Sequence, residues 1–321
     1  MKISYIDFWS ECENAPVDFD GINNKLIWDN FCLSRKLKVV NEGVGLFHIK
    51  MLEKILEKKL ELTTPNNADV LICSGFGGKK DSYPNKKKIC LYYESCFKND
   101  NKLPNTFYFS SELDKSDFYL PLHACYYGFD IYKTLLLPRT LLDLESFTKK
   151  SNCLSIISNS SCSFRNDFLT KLMQKITVDN YGKLYHNKNS LKNIESSCWY
   201  DPRLCDIIKE YKFMICMENT SQVGYHTEKI MHGFRNNIIP IYWGDPNISL
   251  IFNSNAYINV NELGVDQAID KIILLSNDLS EYNKMISQPI IKEDSIFFKE
   301  EYKMFFNEEY FNKFIKKIFK I

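Results

Sequence analysis

Apolar and polar positions recur along this chain with two different periods. Residues 46–62, LFHIKMLEKILEKKLEL, repeat Leu and Ile at i, i+3 and i+4 spacing, which predicts an amphipathic helix. Short continuous apolar runs flank it. KISYIDFW, ADVLICSGFGG and KKKICLYYESC predict buried strands, the last ending at Glu94, and FYFSSELDKSDFYLPLHACYY holds further short strands. The alternation restarts in the second half. CLSIISNSS reads as a strand and SFRNDFLTKLMQKI as a helix with Phe164, Phe168 and Leu172 on one face. YKFMICMEN, TEKIMHGFRN and NIIPIYWG then read as strand, helix and strand, a βαβ unit. Two such halves predict an α/β protein with two Rossmann-like domains facing across a cleft. The stretch from Thr134 to Asn152 contains Pro138 and few strand signals, and reads as the connection between them.

The C-terminal residues EEYFNKFIKKIFKI are helical in pattern but different in kind. Phe311, Phe314, Ile315, Ile318 and Phe319 share one face, with Lys313, Lys316, Lys317 and Lys320 elsewhere. Such a helix packs back onto the body or lies on an anionic membrane, and both outcomes are compatible with residues 309–321.

Composition narrows the classes. The chain has 321 residues, 45% hydrophobic and 25% charged, with a net charge of +1. That is enough apolar material for one or two cores and gives no global case for nucleic-acid binding. Lysine supplies most cations, so the arginines Arg35, Arg139, Arg165, Arg203 and Arg235 draw attention as candidate phosphate ligands. The eleven cysteines lack paired zinc spacing and read as reduced, mostly buried residues. With neither a signal peptide nor a long apolar run in view, the expected location is the cytoplasm, with peripheral contact at the inner face of a membrane.

Chemistry concentrates where strands end. Ligands of open α/β sheets bind beyond the carboxyl ends of the strands. ENTSQVGYHTEK follows one strand, and Thr227 reads as the cap of a helix starting near Glu228. Lys229 offers a cation to a phosphate, Glu228 an acceptor for sugar hydroxyls, and Tyr225 a flat face with a phenol. A nucleoside diphosphate linked to a sugar would use all three; an ordinary exposed Glu-Lys pair is the alternative. Arg165 falls early in a helix after a strand, at the place of a second diphosphate contact or of a solvated arginine. Glu94 ends an apolar strand and suits a general base, or is simply a solvated strand end. GFGGKK lacks Walker spacing, HTE at His226 lacks the partner motif of zinc deaminases, and DFD at Asp18–Asp20 lies outside a strand-end context, so no metal ligands are assigned.

The stretch FMICMENTSQVGYHTEKIMHGFRNNIIPIYWGDPNI resembles the signature of the α1,3/4-fucosyltransferases, glycosyltransferase family 10. Glu218, Asn219, Tyr225, Thr227, Glu228, Lys229, Pro240 and Gly244 carry the likeness, and SNSSCSFRNDF and ICLYYES extend it. The resemblance implies a GT-B fold. Residues 1–140 would bind an oligosaccharide or glycolipid acceptor, residues 150–300 would bind GDP-β-L-fucose, and 301–321 would form the basic amphipathic helix. It further implies that Glu94 is the base, that Arg165 and Lys229 hold the diphosphate, that Glu228 binds ribose or fucose hydroxyls, and that Tyr225 and Asn219 complete the donor site. The implied reaction inverts the anomeric carbon in glycan or lipopolysaccharide biosynthesis. It requires no cofactor, GDP-fucose being a substrate, and a divalent metal would at most stimulate it. A different nucleotide-sugar donor and a non-catalytic sugar-binding role stay open as alternatives.

Overall fold

The computed structural model describes residues 1–7, 57–75, 77–92, 103–110, 112, 116–119, 121, 123, 134–189, 202–298 and 308–319. The chain forms two compact units, residues 1–129 with 303–321, and residues 130–302.

The first unit is built on a parallel sheet of six strands, in the order β2-β1-β3-β4-β5-β6. These are β1 (Lys2–Ile6), β2 (Glu61–Leu62), β3 (Val70–Ser74), β4 (Lys87–Tyr92), β5 (Thr106–Ser110) and β6 (Phe118–Tyr119). β3 is buried along its whole length, as expected of a parallel strand covered on both faces. The predicted helix over 46–62 is corrected at its end. Residues 46–56 lie outside the described residues, and Glu61–Leu62 pair with Lys2–Ile3 as strand β2. The ladder wins there because Glu61 N–H reaches Met1 O at 3.0 Å and Thr63 N–H reaches Ile3 O at 2.9 Å. GFGGKK closes on a protein carboxylate: Asp7 accepts from the backbone N–H groups of Lys79 and Lys80, both at 2.9 Å. Gly77 allows that closeness, since a Cβ there would collide with the Asp7 carboxylate.

The C-terminal helix, Glu308–Phe319, belongs to this first unit. Ile315 and Ile318 are buried, Phe314 meets Phe109 of β5 with ring centroids 6.0 Å apart, and Lys87 Nζ donates to Ile318 O at 2.9 Å. Much of the apolar face that could meet a membrane is thus turned into the protein. Among the described residues, no helix is long and apolar enough to cross a membrane.

The second unit carries a five-stranded parallel sheet, ordered β11-β10-β9-β7-β8. Its strands are β7 (Ser151–Ser155), β8 (Val178–Asn180), β9 (Tyr211–Ile215), β10 (Ile239–Tyr242) and β11 (Ile258–Asn259), with helix α3 (Pro202–Lys209) leading into β9. The core joins Phe168 and Leu172 of helix α2 (Ser163–Met173) to Phe213, Ile215, Ile239 and Ile241 of the central strands. Lys212 interrupts the apolar run of β9. Its stem lies in the core while its ammonium sits 3.8 Å above the Phe147 ring and donates to Ser276 O at 2.8 Å. Pro240 sits inside β10, where a missing N–H would ordinarily break a ladder. Here β11 pairs only with Ile241 and Tyr242, so Pro240 lies before that ladder begins.

The stretch read as a connection is built into this unit. Asp143 accepts from Ser146 N–H at 2.7 Å and caps a short helix α1 (Leu144–Lys149), which leads into β7. Arg139 is half-buried and donates to Ala256 O and Met285 O at 3.0 and 2.8 Å; desolvation lowers its pKa to about 10. Asn237 holds the left-handed backbone after helix α4 (Lys229–Arg235), with Ile238 N–H bonded to Gly233 O, and its carboxamide pairs with Thr140 N–H and C=O. α4 also presses against β10, because a Cβ on Gly233 would lie 2.5 Å from Pro240 Cγ. Gly233→Ala is therefore expected to destabilise the protein by about 1–3 kcal/mol, the usual cost of overpacking, measured by denaturant unfolding.

Candidate functional site

β7, the first strand of the second unit, lies between β8 and β9, so the connections leave in opposite directions beyond β7 and β9. The crevice at such a reversal is where open α/β sheets hold ligands. Two segments border it: residues 156–162 after β7, and 216–228 after β9.

Arg165, in the first turn of α2, spans the two. Its Nη2 donates to Asn159 O at 2.6 Å, and its Nη1 to Asn219 Oδ1 at 2.7 Å and to Glu218 O at 3.3 Å. The residue is 2% exposed, and burial depresses its pKa despite nearby Glu218 and Tyr225. The sequence suggested that its fork would grip a diphosphate. The structure turns both terminal nitrogens onto protein oxygens, leaving Nε as the one guanidinium nitrogen with no partner among the described residues. Arg165 therefore clips the two borders of the crevice together and orients Asn219.

Glu218 forms the centre. It lies three residues past the end of β9, is 0% exposed, and its N–H is bonded to Trp243 O at 2.8 Å. Thr227 N–H and Oγ1 donate to Glu218 Oε1 at 2.8 and 2.9 Å, and Lys229 Nζ donates to Oε2 at 2.8 Å. Lys229 Nζ also donates to Thr227 Oγ1 at 2.8 Å and lies 3.8 Å from Glu228 Oε1. Gly244 leaves the space, since a Cβ there would sit 2.6 Å from Glu218 Cγ. Thr227 is not the helix cap that the sequence suggests. Its hydroxyl is taken by Glu218, and Glu228 occupies the cap position with helical backbone angles and no capping side-chain bond.

The electrostatics follow from these contacts. Burial disfavours the Lys229 ammonium, but Glu218, Glu228 and Tyr225 outweigh it and hold the pKa well above the usual lysine value. Burial likewise opposes charge on Glu228, and Lys229 and His232 outweigh that, lowering its pKa. Tyr225 is buried, Asn219 is exposed, and the Lys229 side chain keeps 27% of its surface. Of the residues singled out from sequence, Arg165, Asn219 and Lys229 meet at Glu218, Glu228 adjoins Lys229, and Tyr225 stands close enough to influence both cations. Glu94 and Asp18–Asp20 lie outside the described residues. Among the described residues, no three His, Cys, Asp or Glu side chains converge as a metal site needs.

Residues 146–287 match the family described as Glycosyltransferase family 10 (fucosyltransferase) C-term. The chain is 25% identical over 283 residues to the alpha-(1,3)-fucosyltransferase FucT of Helicobacter pylori, covering 78% of this chain and 59% of that protein. It is 33% identical over 125 residues to alpha-(1,3)-fucosyltransferase B of Drosophila melanogaster, covering 38% of this chain and 28% of that one. Less than two thirds of each relative's length is therefore spanned. A crystal structure of an alpha1,3-fucosyltransferase superposes with a TM-score of 0.68 at 21% identity, covering all of this chain and 90% of that one. Another, with GDP-fucose, gives 0.63 at 21% identity, covering all of this chain and 89% of that one. This likeness gives the chain the GT-B fold class.

Sequence reasoning named Glu218 within the family 10 signature without giving it a role. The only available signal was a carboxylate placed directly after an apolar strand. It also missed the pair His226 Nδ1 and Asp245 Oδ2, buried at 2.8 Å, which ties the 220s loop to the segment after β10. His232, behind Glu228 on α4, is buried, and burial lowers its pKa to about 4 although Glu228 partly offsets this. In the unfolded chain the imidazole titrates near 6.5, so between the two values the unfolded state binds more protons. Stability of the second unit is therefore expected to fall as pH drops from about 6.5 towards 4, by up to about 3 kcal/mol from this group. Thermal unfolding across that range should show a shallower decline for His232→Gln than for the parent.

Proposed function

We infer that this chain is an inverting fucosyltransferase, moving L-fucose from GDP-β-L-fucose to a hydroxyl of a glycan acceptor. The observation that carries the reading is the buried Glu218 carboxylate holding Lys229, beside Glu228, at the ligand crevice of a family 10 domain. Two related structures support the donor: one contains GDP and another GDP-fucose. The names of the relatives support an α1,3 linkage, and GlcNAc of N-acetyllactosamine-type ends is the acceptor we propose.

Each group has a stated part. The acceptor hydroxyl oxygen forms a bond to the anomeric carbon of fucose as that carbon's bond to the diphosphate oxygen breaks. The electron pair of the broken bond leaves with GDP, and the hydroxyl proton passes to Glu94. The transition state is oxocarbenium-like, so negative charge grows on the departing diphosphate while positive charge grows on the sugar. Lys229 stabilises the first by charge-assisted hydrogen bonding. Glu228, charged beside it, accepts from ribose or fucose hydroxyls, and the exposed carboxamide of Asn219 and the phenol of Tyr225 complete the donor contacts. Arg165 serves this arrangement as the clip that fixes Asn219. Contact of the C-terminal helix with a membrane surface, at the cytoplasmic face, is part of the same proposal and would rest on its exposed lysines.

GDP release from GDP-fucose against a panel of Gal-GlcNAc and Glc-based acceptors tests the activity; no release with any acceptor would overturn it. Lys229→Ala is expected to raise the GDP dissociation constant about tenfold or more by calorimetry, the size of one lost charge-assisted hydrogen bond. Glu94→Ala should leave GDP affinity nearly unchanged and lower turnover by roughly 10²- to 10⁴-fold, the range of general base catalysis.

A further inference from the structure

We propose that Glu218, assisted by Thr227, is a positioning residue that fixes the rotation of the Lys229 ammonium and presents one of its N–H groups to the diphosphate. This rests on the donor reading above. An ammonium carries three donors and rotates freely about its terminal bond unless acceptors stop it. Two of the three are taken on the protein side, by Glu218 Oε2 and Thr227 Oγ1, each at 2.8 Å. Glu228 Oε1, at 3.8 Å, lies beyond hydrogen-bonding range of the third. That third N–H has the partly open side of the residue left to it.

The acceptors are themselves held. Thr227 donates its hydroxyl to Glu218, so its lone pairs are the groups left to receive Lys229. Thr227 N–H pins Glu218 Oε1, which leaves Oε2 for the ammonium. Gly244 and the Trp243 carbonyl set the place of Glu218 itself. A carboxylate with no solvent exposure has no water to turn towards, so the triad of Glu218, Thr227 and Lys229 has a single hydrogen-bond arrangement. The same carboxylate keeps Lys229 protonated against its burial.

The test uses the full chain and GDP as probe, with calorimetry at several pH values. Glu218→Gln keeps the shape and an oxygen for Thr227 N–H, but its amide cannot accept from Lys229 at the Oε2 position. Thr227→Val keeps the charges and removes one acceptor. The inference expects Glu218→Gln to raise the GDP dissociation constant by about tenfold or more, the size of a lost charged hydrogen bond, and Thr227→Val by several-fold. It also expects a change in pH profile that a merely structural role would not produce. Between about pH 7.5 and 9.5 the parent's affinity stays level, whereas that of Glu218→Gln declines, because burial then depresses the lysine pKa with less opposition. Parent-like affinity in both variants with a level profile, while Lys229→Ala loses affinity, would overturn the inference and leave the donor reading standing. An unchanged affinity in Lys229→Ala would overturn the donor reading and the inference with it. Should Glu218→Gln fail to fold, Thr227→Val decides alone, parent-like affinity there overturning the inference.

Discussion

A carboxylate with no access to water must find its full complement of donors in the protein, or the charge is too costly to keep. Glu218 is in that position, and the layout of the second unit around it follows from satisfying it. Thr227 must turn its backbone and hydroxyl inwards, which shapes the loop after β9. Lys229 must begin its helix where its ammonium can reach back. Gly244 must lack a side chain. Removing the Lys229 ammonium would leave the buried Glu218 charge without its ion-pair partner, and removing the Thr227 hydroxyl would take a contact from both, so the cluster behaves as a unit rather than as a set of separate contacts.

The sheet supplies the frame. In parallel sheets all carboxyl ends lie on one edge, and the reversal between β7 and β9 opens space there. Arg165 draws the borders of that space together through oxygens on both sides, and α4 is pressed on β10 through Gly233 and Pro240. The polar residues thus stand on a rigid edge whose position is set by apolar packing a few ångströms below, chiefly Phe213, Ile215, Ile239 and Ile241.

How much of this was legible depends on the range of the interaction. The longer strands β1, β3, β4, β5, β7, β9 and β10 were legible because parallel strands covered on both faces read as unbroken apolar runs, and helix α2 because Phe168 and Leu172 recur at helical spacing; β8 and β11, with three and two residues, are too short to show a pattern. Tyr225, Glu228 and Lys229 stood out as an unusual polar group after such a strand, and Asn219 entered only through the family resemblance. The role of Glu218 did not, because a carboxylate at a strand end ordinarily faces water, and its burial is decided by partners nine and eleven residues away. Thr227 read as a cap because the hydroxyl beside a helix start usually serves the helix, and here a carboxylate competes for it. The end of the 46–62 pattern failed for a similar reason: a two-residue strand gains its ladder from Met1 and Ile3, which no local period can announce. Arg139 and Asn237 bound the supposed connection into the second unit through contacts spanning about a hundred residues or more.

The first unit is discontinuous in sequence, closing only with residues 303–321, whereas the second is an uninterrupted stretch. A chain emerging from the ribosome therefore completes its later unit before its earlier one. Until helix Glu308–Phe319 appears, the ring of Phe109 lacks its contact with Phe314 and the places that Ile315 and Ile318 fill stay open, so the earlier unit waits, partly exposed, for residues 303–321.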